Sequence, residues 1–240
     1  MIPIFHTNLS LLSILTTENS GKSSDDEAPS IFDCAKDLGL KKIFVADDYP
    51  AAFEDLKGKQ EKEGVQVCYG LRFKVSHNPE TPNSWARYTI WAKNGAGFKE
   101  LCKIYCHYST TGRILSFKFL TENFSKNLIL MPNFYDGPFY NNLLCHEWYH
   151  LLDFQGLKPL FEMQDNGLPI DSLIRDKIEE FCNNHKYPVI NTKSIYYRKK
   201  EEFKSFMAYK CIVNRSSFDK PELAMFSSDQ FCTEAINQND

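Results

Sequence analysis

The chain has 240 residues and a formal net charge of −3, with 42% hydrophobic, 14% aromatic and 25% charged residues. This much apolar side chain excludes an intrinsically disordered chain, and the slightly acidic balance is untypical of a dedicated nucleic-acid-binding protein. No apolar run reaches the roughly 18–20 residues of a membrane span, and the N-terminus lacks a signal-peptide pattern. We therefore expect a cytoplasmic protein without a membrane partner, whose eight cysteines are reduced.

Hydrophobic periodicity predicts strands and helices in alternation along the chain. The predicted strands cover 2–5, 41–48, 66–75, 87–93, 127–131, 159–163 and 188–191. The predicted helices cover 31–38, 50–64, 97–109, 138–154, 171–185 and 201–213, and a last helix begins near Ser228. Polar, turn-rich segments predict a mobile loop at 17–29 and a second loop at 76–84.

Seven strands that alternate with helices predict an α/β fold with a mostly parallel sheet. For one domain of this length, a closed or nearly closed barrel fits better than an open sheet. We expect a single domain over 1–240, with a C-terminal helix and tail at 222–240. In such barrels the chemistry lies at the C-terminal ends of the strands. The residues at those ends are His6, Asp47, Asp48, Arg72, Asn133, 164–166 and 192–196.

Several segments resemble the PHP (polymerase and histidinol phosphatase) domain that opens bacterial DNA polymerase III alpha subunits. The segment at 5–12, FHTNLSLL, is similar to the family's HSxYSLLDG, and GVQVCYGLRFKV at 64–75 is similar to GIKPIxGxEFxV. RYTIWAKNGAGFKEL at 87–101, EMQDNGLP at 162–169 and PVINTKSIYY at 188–197 resemble three further motifs in the same order. The resemblance implies a distorted seven-stranded (β/α) barrel, related to the TIM barrel, that stands here without a polymerase.

The resemblance also implies where a metal site would lie. Active PHP domains hold two or three divalent metals on His, Asp, Glu and Cys side chains, and such metals activate water and neutralise phosphate oxygens. In this chain Arg72 falls on the Glu of the second motif, Arg87 falls on the His of the third, and Lys193 falls within the last. The full set of matching positions is His6, Ser13, Asp47, Asp48, Arg72, Arg87, Asn133, Lys193, Ser194 and Tyr196.

A cation in place of a ligand repels a divalent metal, so we expect no catalytic residue, no bound metal and no other cofactor. The three cations are predicted to form a salt-bridged polar cluster with Asp47 and Asp48. An alternative is that they bind a phosphate or a nucleic-acid backbone. Another alternative is that the chain binds a divalent metal such as Mn, Zn or Mg and is a phosphoesterase or 3′–5′ exonuclease.

A competing motif is HEWYH at 146–150, a formal HExxH sequence. On a helix it places His146 and His150 one turn apart, with Glu147 as general base for a zinc-bound water. The extended form of the motif fails, because Asp153 and Gly156 stand where Gly and His are needed. A zinc hydrolase is therefore a third hypothesis, with Glu162 as the nearest further ligand.

The resemblance and the altered positions together favour a catalytically inactive module, a pseudoenzyme, over either hydrolase. In polymerases whose PHP site is degraded, the domain serves to dock and stabilise a proofreading exonuclease. We therefore expect a docking or scaffold protein in DNA replication or its modulation, bound to a replication protein such as a polymerase or exonuclease subunit. Exposed aromatic side chains are the expected anchors. A compact copy of this kind would suit a viral or mobile-element origin.

Overall fold

The computed structural model of the protein describes residues 1–18, 28–81, 83–144, 150–217 and 227–237. The strands in these residues are β1 (Ile2–Phe5), β2 (Lys42–Asp47), β3 (Gln66–Ser76), β4 (Ala86–Ala92), β5 (Leu115–Ser116), β6 (Leu128–Pro132), β7 (Phe161–Met163) and β8 (Val189–Ile195). The α-helices are α1 (Ile31–Asp37), α2 (Phe53–Glu63), α3 (Gly95–Thr110), α4 (Phe117–Asn123), α5 (Pro138–Leu144), α6 (Asp171–His185), α7 (Phe203–Asn214) and α8 (Glu234–Asn237). Short 3-10 helices cover Asn8–Ser10, Pro50–Ala52 and Lys200–Glu202.

The chain divides into two compact units. The middle unit contains Tyr69–Gln164 and Pro169–Thr192, and the terminal unit contains Ile2–Cys68, Asp165–Leu168 and Lys193–Asp240. Strands β3 and β8 each begin in one unit and end in the other. The predicted α/β class is confirmed, and all seven predicted strands are present.

The terminal unit is built around a parallel pair of strands. β1 pairs with β2 through Ile4↔Phe44 and Phe5↔Val45. Helix α1 begins after Ser30, whose hydroxyl oxygen accepts a hydrogen bond from the Phe32 amide and so satisfies one free N–H of the first turn. The core of this unit includes five fully or almost fully buried side chains, from Phe5, Phe32, Val45, Leu56 and Phe206.

The middle unit is built around an antiparallel ladder. β4 lies between β3 and β6 and runs antiparallel to both, while β5 pairs with the end of β3 and β7 pairs in parallel with β8. The expectation of a mostly parallel sheet is therefore wrong here. The physical reason is the connection from β3 to β4, which contains no helix and is too short for the crossover that a parallel pair requires.

The two faces of the β3–β4 ladder differ in chemistry. The pairs Leu71↔Ile90, Phe73↔Tyr88 and Val75↔Ala86 form a buried apolar face. Helix α3 covers this face, with the Tyr108 ring 5.1 Å from the Phe73 ring. The opposite face carries Arg72 opposite Thr89 and Lys74 opposite Arg87. Because alternate residues of a strand point to opposite faces, the pairing of β3 with β4 places these charged side chains together on one polar face.

Several local predictions are corrected by the structure. The predicted helix at 138–154 ends at Leu144, and residues 150–154 are not helical. Helix α4 was not predicted, and α8 begins later than the predicted start near Ser228. Most of the predicted loop at 17–29, namely 19–27, and residues 222–226 and 238–240 of the predicted C-terminal helix and tail lie outside the described residues. None of the described helices has the length and apolar character of a membrane span.

Candidate functional site

The first polar cluster lies in the terminal unit and is centred on Asp47, the last residue of β2. Its carboxylate is fully buried and accepts three hydrogen bonds. The Thr7 amide donates to Oδ1 at 2.9 Å, the Thr7 hydroxyl donates to Oδ2 at 2.6 Å, and the Ser10 hydroxyl donates to Oδ1 at 2.7 Å. Both oxygens are thus engaged in fixing the turn that follows β1.

Burial raises the pKa of Asp47 to about 6, and the neighbouring Asp48 acts in the same direction. The hydrogen bonds from Thr7 and Ser10 act in the opposite direction, because they favour the ionised carboxylate. The rise remains because desolvation of the charge outweighs these bonds. A buried acid of this kind stabilises the loop through hydrogen bonds and carries a titration in the weakly acidic range.

His6 lies at the start of the turn that Asp47 fixes. Its Nδ1 atom is hydrogen-bonded to the carbonyl oxygen of Ala46, so the ring proton is on Nδ1. The ring stacks on Tyr196 at 4.8 Å, and Tyr196 in turn stacks on Phe206 at 5.2 Å. The imidazole is therefore oriented by packing and by a backbone acceptor.

The remaining candidates of the terminal unit also have structural contacts. The Ser13 hydroxyl donates to the Tyr196 carbonyl at 2.7 Å and accepts from the Leu15 amide at 2.8 Å. Lys193 is 1% exposed, and its ammonium group donates to the Asp165 carbonyl at 3.3 Å. Ser194 is buried and Asp48 is half-buried. The turn at 6–13 and the end of β8 are thus joined by hydrogen bonds to the backbone.

The second polar cluster lies in the middle unit and is centred on Glu162 of β7. This carboxylate is 4% exposed and accepts hydrogen bonds from the Phe134 amide at 2.7 Å, from the Thr192 hydroxyl at 2.9 Å and from the Gln164 amide group at 3.1 Å. Burial raises the pKa of Glu162, and these three donors and the charge of Arg72 oppose the rise. Glu162 therefore links the loop after β6 to β8.

Arg72 lies on β3 close to this acid. Its side chain is 7% exposed, and its Nη2 atom lies 3.9 Å from Oδ2 of Asp136. On the facing strand, the Thr89 hydroxyl donates to Oδ1 of Asn133 at 2.9 Å. The Arg87 amide donates to the Asp136 carbonyl at 2.8 Å. The structure thus brings together Arg72, Arg87 and Asn133 in the middle unit, with the acids Glu162 and Asp136.

Two further residues of this face were not predicted from the sequence. The Nζ atom of Lys74 lies 4.0 Å from the centre of the Trp85 ring, and the Arg87 guanidinium lies 5.7 Å from the same centre. A signal for Lys74 was present, because it follows Arg72 by two positions on a strand and so shares its face. Trp85 precedes β4 and carried no such signal.

Of the HExxH motif, His146 and Glu147 lie outside the described residues. His150 is described and is 8% exposed. Its amide donates to Oδ1 of Asn142 at 2.7 Å, and its Nε2 atom lies 3.3 Å from the side-chain nitrogen of Asn141. Burial, together with the nearby His77, lowers the pKa of His150. Both imidazoles line a cavity of about 160 Å³.

The donor set does not fit the multinuclear metal centre that the resemblance implies. Among the residues that the structure describes, no three or more His, Cys, Asp or Glu side chains are placed to hold one ion. At two ligand positions of the family pattern the chain presents Arg72 and Arg87, which are cations without a lone pair for a metal. Asp47 uses its carboxylate oxygens for Thr7 and Ser10.

Comparison with known proteins adds no relative: no protein-family model matches the chain, and no curated protein matches it.

Proposed function

We propose that this chain is a PHP-like module, a distorted seven-stranded (β/α) barrel, that does not catalyse hydrolysis and instead docks a replication protein. Its role would be that of a scaffold in DNA replication or in the modulation of replication. The partner would be a polymerase or a proofreading exonuclease subunit. The observation that carries this proposal is the chemistry of the β3–β4 face, where Arg72 and Arg87 stand at positions that the resemblance assigns to a Glu and a His.

The acids that remain at or near the motif positions support the same proposal. Asp47 is hydrogen-bonded to Thr7 and Ser10, and Glu162 is hydrogen-bonded to three donors of its own unit. A metal that recruited either carboxylate would have to displace buried hydrogen bonds, which costs free energy for each donor left unpaired. Both acids therefore act as cross-links of loops and strands.

Exposed apolar side chains supply candidate anchors for a protein partner, but they are not aromatic. The large hydrophobic residues exposed in the described part of the chain are Met1, Leu9, Leu11, Leu151, Leu173, Val189 and Ile212. No aromatic side chain is among these exposed residues, so the expectation of aromatic anchors stays a prediction. Many aromatic side chains of the described residues pack against one another, as the ring contacts among Phe154, Phe161 and Phe181 illustrate.

Two of these residues, Leu9 and Leu11, lie in or beside a turn that is hydrogen-bonded to α7, the helix that carries Ile212. The Tyr209 hydroxyl on α7 donates to the Asn8 carbonyl at 3.3 Å, which joins α7 to the turn that carries Leu9 and Leu11. Ile212 lies three positions after Tyr209 on the helix and is 76% exposed. Leu11 also adopts a left-handed backbone with φ of 61°, an unfavourable conformation for a bulky residue. Its amide donates to the Asn8 carbonyl at 3.0 Å and so closes the 3-10 helix Asn8–Ser10, while its side chain stays exposed and accessible to a partner.

A binding assay on the full chain tests the proposal. Purified DNA polymerase III alpha subunit and its proofreading exonuclease subunit would each be titrated against the immobilised protein, with Leu11→Asp as the test variant. Leu173→Asp is the matched control, since Leu173 on α6 is 57% exposed and Leu11 is 55% exposed. We expect Leu11→Asp to weaken binding at least about tenfold and the control to leave it unchanged.

Two results would overturn the proposed function. One is the absence of binding to either replication protein by the wild-type chain. The other is release of nitrophenol from bis(p-nitrophenyl) phosphate in the presence of Mn²⁺ or Zn²⁺, which would support the metal-dependent phosphoesterase instead. A single zinc bound through His146 and His150, and lost in His150→Ala, would support the HExxH hydrolase.

A further inference from the structure

A small cavity of about 160 Å³ lies in the middle unit. Val75, Ala86 and Phe117 form an apolar part of its wall, and Val75 and Ala86 are a facing pair of the β3–β4 ladder. The exposed residues Asn78 and Leu151 also line the cavity, so solvent reaches it. None of the described residues that line it is one of the motif positions on which the proposed function rests.

The wall around Ser76 and Ser84 is held in place by its own hydrogen bonds. The Ser84 hydroxyl donates to the carbonyl oxygens of Asn78 at 2.7 Å and Thr81 at 2.8 Å. Because its one proton is used there, the Ser76 hydroxyl donates to Oγ of Ser84 at 2.8 Å and accepts from the Asn78 amide at 3.0 Å. These hydroxyl groups are therefore engaged within the wall, and this side of the cavity is formed before a ligand enters.

Tyr88 on β4 carries a buried polar group without a hydrogen-bond partner among the described residues. The residue is 1% exposed and lines the cavity, and its ring packs edge-on against Phe117 at 5.5 Å. Burial raises the pKa of its hydroxyl, and no hydrogen bond to a described residue opposes the rise. The hydroxyl is therefore a neutral donor. Its unpaired state costs free energy, which a ligand with an acceptor atom would recover.

His150 supplies a second donor to the lining of the cavity. The side-chain nitrogen of Asn141 donates to the Trp85 carbonyl at 3.3 Å and lies 3.3 Å from Nε2 of His150. Since the Asn141 group is a donor, Nε2 accepts and the ring proton is on Nδ1. Burial and the nearby His77 lower the pKa of His150, so the ring is neutral near neutral pH. Its Nδ1 atom makes no hydrogen bond to any residue that the structure describes.

The composition of the lining favours a small, flat and uncharged ligand. No Lys, Arg, Asp or Glu is among the described residues that line the cavity, so a charged ligand would be buried without a counter-charge. An engineered cavity of about 150 Å³ in another protein holds a benzene ring, which sets the size of the ligand. The rings of His77 and Phe117, stacked at 4.2 Å, and of Tyr88 offer aromatic faces and edges to such a ring.

We propose that this cavity binds a small uncharged ring compound whose carbonyl oxygen accepts hydrogen bonds from the Tyr88 hydroxyl and the Nδ1–H group of His150. A carbonyl oxygen has two lone pairs and can accept from both donors. A pyrimidine base and an aromatic ketone share this chemistry, and the experiment distinguishes them. Binding is measured with the chain alone, so its outcome is independent of whether a replication protein docks.

Titration of the isotope-labelled full chain, followed by two-dimensional NMR, tests the proposal. The probes are acetophenone and uracil, and benzoate is the charged molecule of the same shape as acetophenone. We expect acetophenone or uracil to bind with a dissociation constant of about 1 mM or below and to shift the amide signals of Val75, Ser84 and Ala86. Benzoate should bind at least about tenfold more weakly than acetophenone. Tighter binding of uracil would identify a pyrimidine base as the natural class, and tighter binding of acetophenone would identify an aromatic ketone.

Tyr88→Phe is the main variant, because it removes the hydroxyl group and keeps the ring. Since this hydroxyl has no partner among the described residues, the variant should fold with a thermal midpoint at or above that of the wild type. Its affinity for the tighter-binding probe should fall about fivefold to tenfold. The matched control is Tyr187→Phe, the same change at a half-buried residue of the middle unit that does not line the cavity. This control should change the affinity by less than about twofold.

Four outcomes would overturn the proposal. The first is the absence of shifts with both acetophenone and uracil at up to about 10 mM, which would leave water as the occupant. The second is binding of benzoate as tight as that of acetophenone. The third is unchanged affinity in Tyr88→Phe, or an equal loss in Tyr187→Phe. The fourth is a destabilised Tyr88→Phe, which would show that the hydroxyl already has a partner within the protein.

Discussion

Replacement of Asp47 by asparagine should change the pH dependence of stability, in a direction that follows from the burial of the Asp47 carboxyl group. The carboxyl group is fully buried at the end of β2, and both of its oxygens accept hydrogen bonds from Thr7 or Ser10. Asparagine keeps the shape and one acceptor oxygen but cannot ionise. The variant therefore removes one titration from the folded state with little change in packing.

The magnitude follows from the shift in the pKa of Asp47, which rises from its ordinary value of 3.8 to about 6 on folding, mainly through burial. The folded protein thus holds this proton more tightly than the unfolded chain does. This difference adds about 3 kcal/mol to the free energy of unfolding at low pH. The contribution is present in full below about pH 4 and is lost as the pH rises through about 6. Between about pH 4.5 and about pH 7.5 the loss is about 2 kcal/mol.

Urea denaturation followed by circular dichroism measures this effect. Relative to Asp47→Asn, the wild type should lose about 2 kcal/mol of unfolding free energy between about pH 4.5 and about pH 7.5. Asp176→Asn, at an exposed position of α6, is the control and should keep the wild-type slope. Parallel curves for the wild type and Asp47→Asn would refute the reasoning. So would a wild type that gains stability relative to the variant as pH rises.

Two further substitutions test the middle unit. Glu162→Gln places an amide N–H₂ group among three buried donors, so we expect the free energy of unfolding to fall by about 2 kcal/mol in thermal or urea denaturation. The control Glu179→Gln, at an exposed position, should leave it unchanged. Gly137→Ala would bring a Cβ atom within 1.7 Å of the Asn133 carbonyl oxygen, so the loop after β6 must open and the melting temperature should fall or folding should fail. Gly58→Ala on α2 meets nothing within 4 Å and should stabilise the protein by about 0.5–1 kcal/mol, and a destabilised Gly58→Ala would contradict the account.

Hydrophobic periodicity predicted most helices and strands, because the apolar residues of each recur with the period of its own secondary structure. Helix α6 begins and ends at the predicted residues, and the strand at 66–75 is β3 with one further residue. The direction of pairing was the main error. The sequence already placed only a loop at 76–84 between two strands, and such a connection favours an antiparallel hairpin.

The end of α5 could not be predicted from local pattern, because tertiary hydrogen bonds determine it. The leucines and aromatic residues of 138–154 continue the helical period, yet the helix ends at Leu144. The side chain of Asn142 bonds both the amide and the carbonyl of His150, which holds that residue in a non-helical segment. Contacts between side chains and a later backbone segment leave no periodic signal.

The sequence predicted several residues of the candidate site, but it did not predict the contacts that these residues make. Asp47 was identified because it follows a strand, but its donors Thr7 and Ser10 lie about forty positions earlier. The bonds of Glu162 to Phe134 and Thr192 span similar distances along the chain. Such pairings depend on which strands are neighbours, and hydrophobic periodicity carries no information on register. The predicted cluster of three cations with Asp47 and Asp48 stays a prediction.

The most direct test of the proposed loss of metal chemistry is equilibrium dialysis of the full chain against Mn²⁺ and against Zn²⁺, followed by elemental analysis of the protein. The account predicts far less than one ion per chain for either metal, because cations stand at positions where the family pattern has ligands. It also predicts no effect of the metals on the thermal midpoint. Two or more tightly held ions per chain, with a raised midpoint, would contradict it.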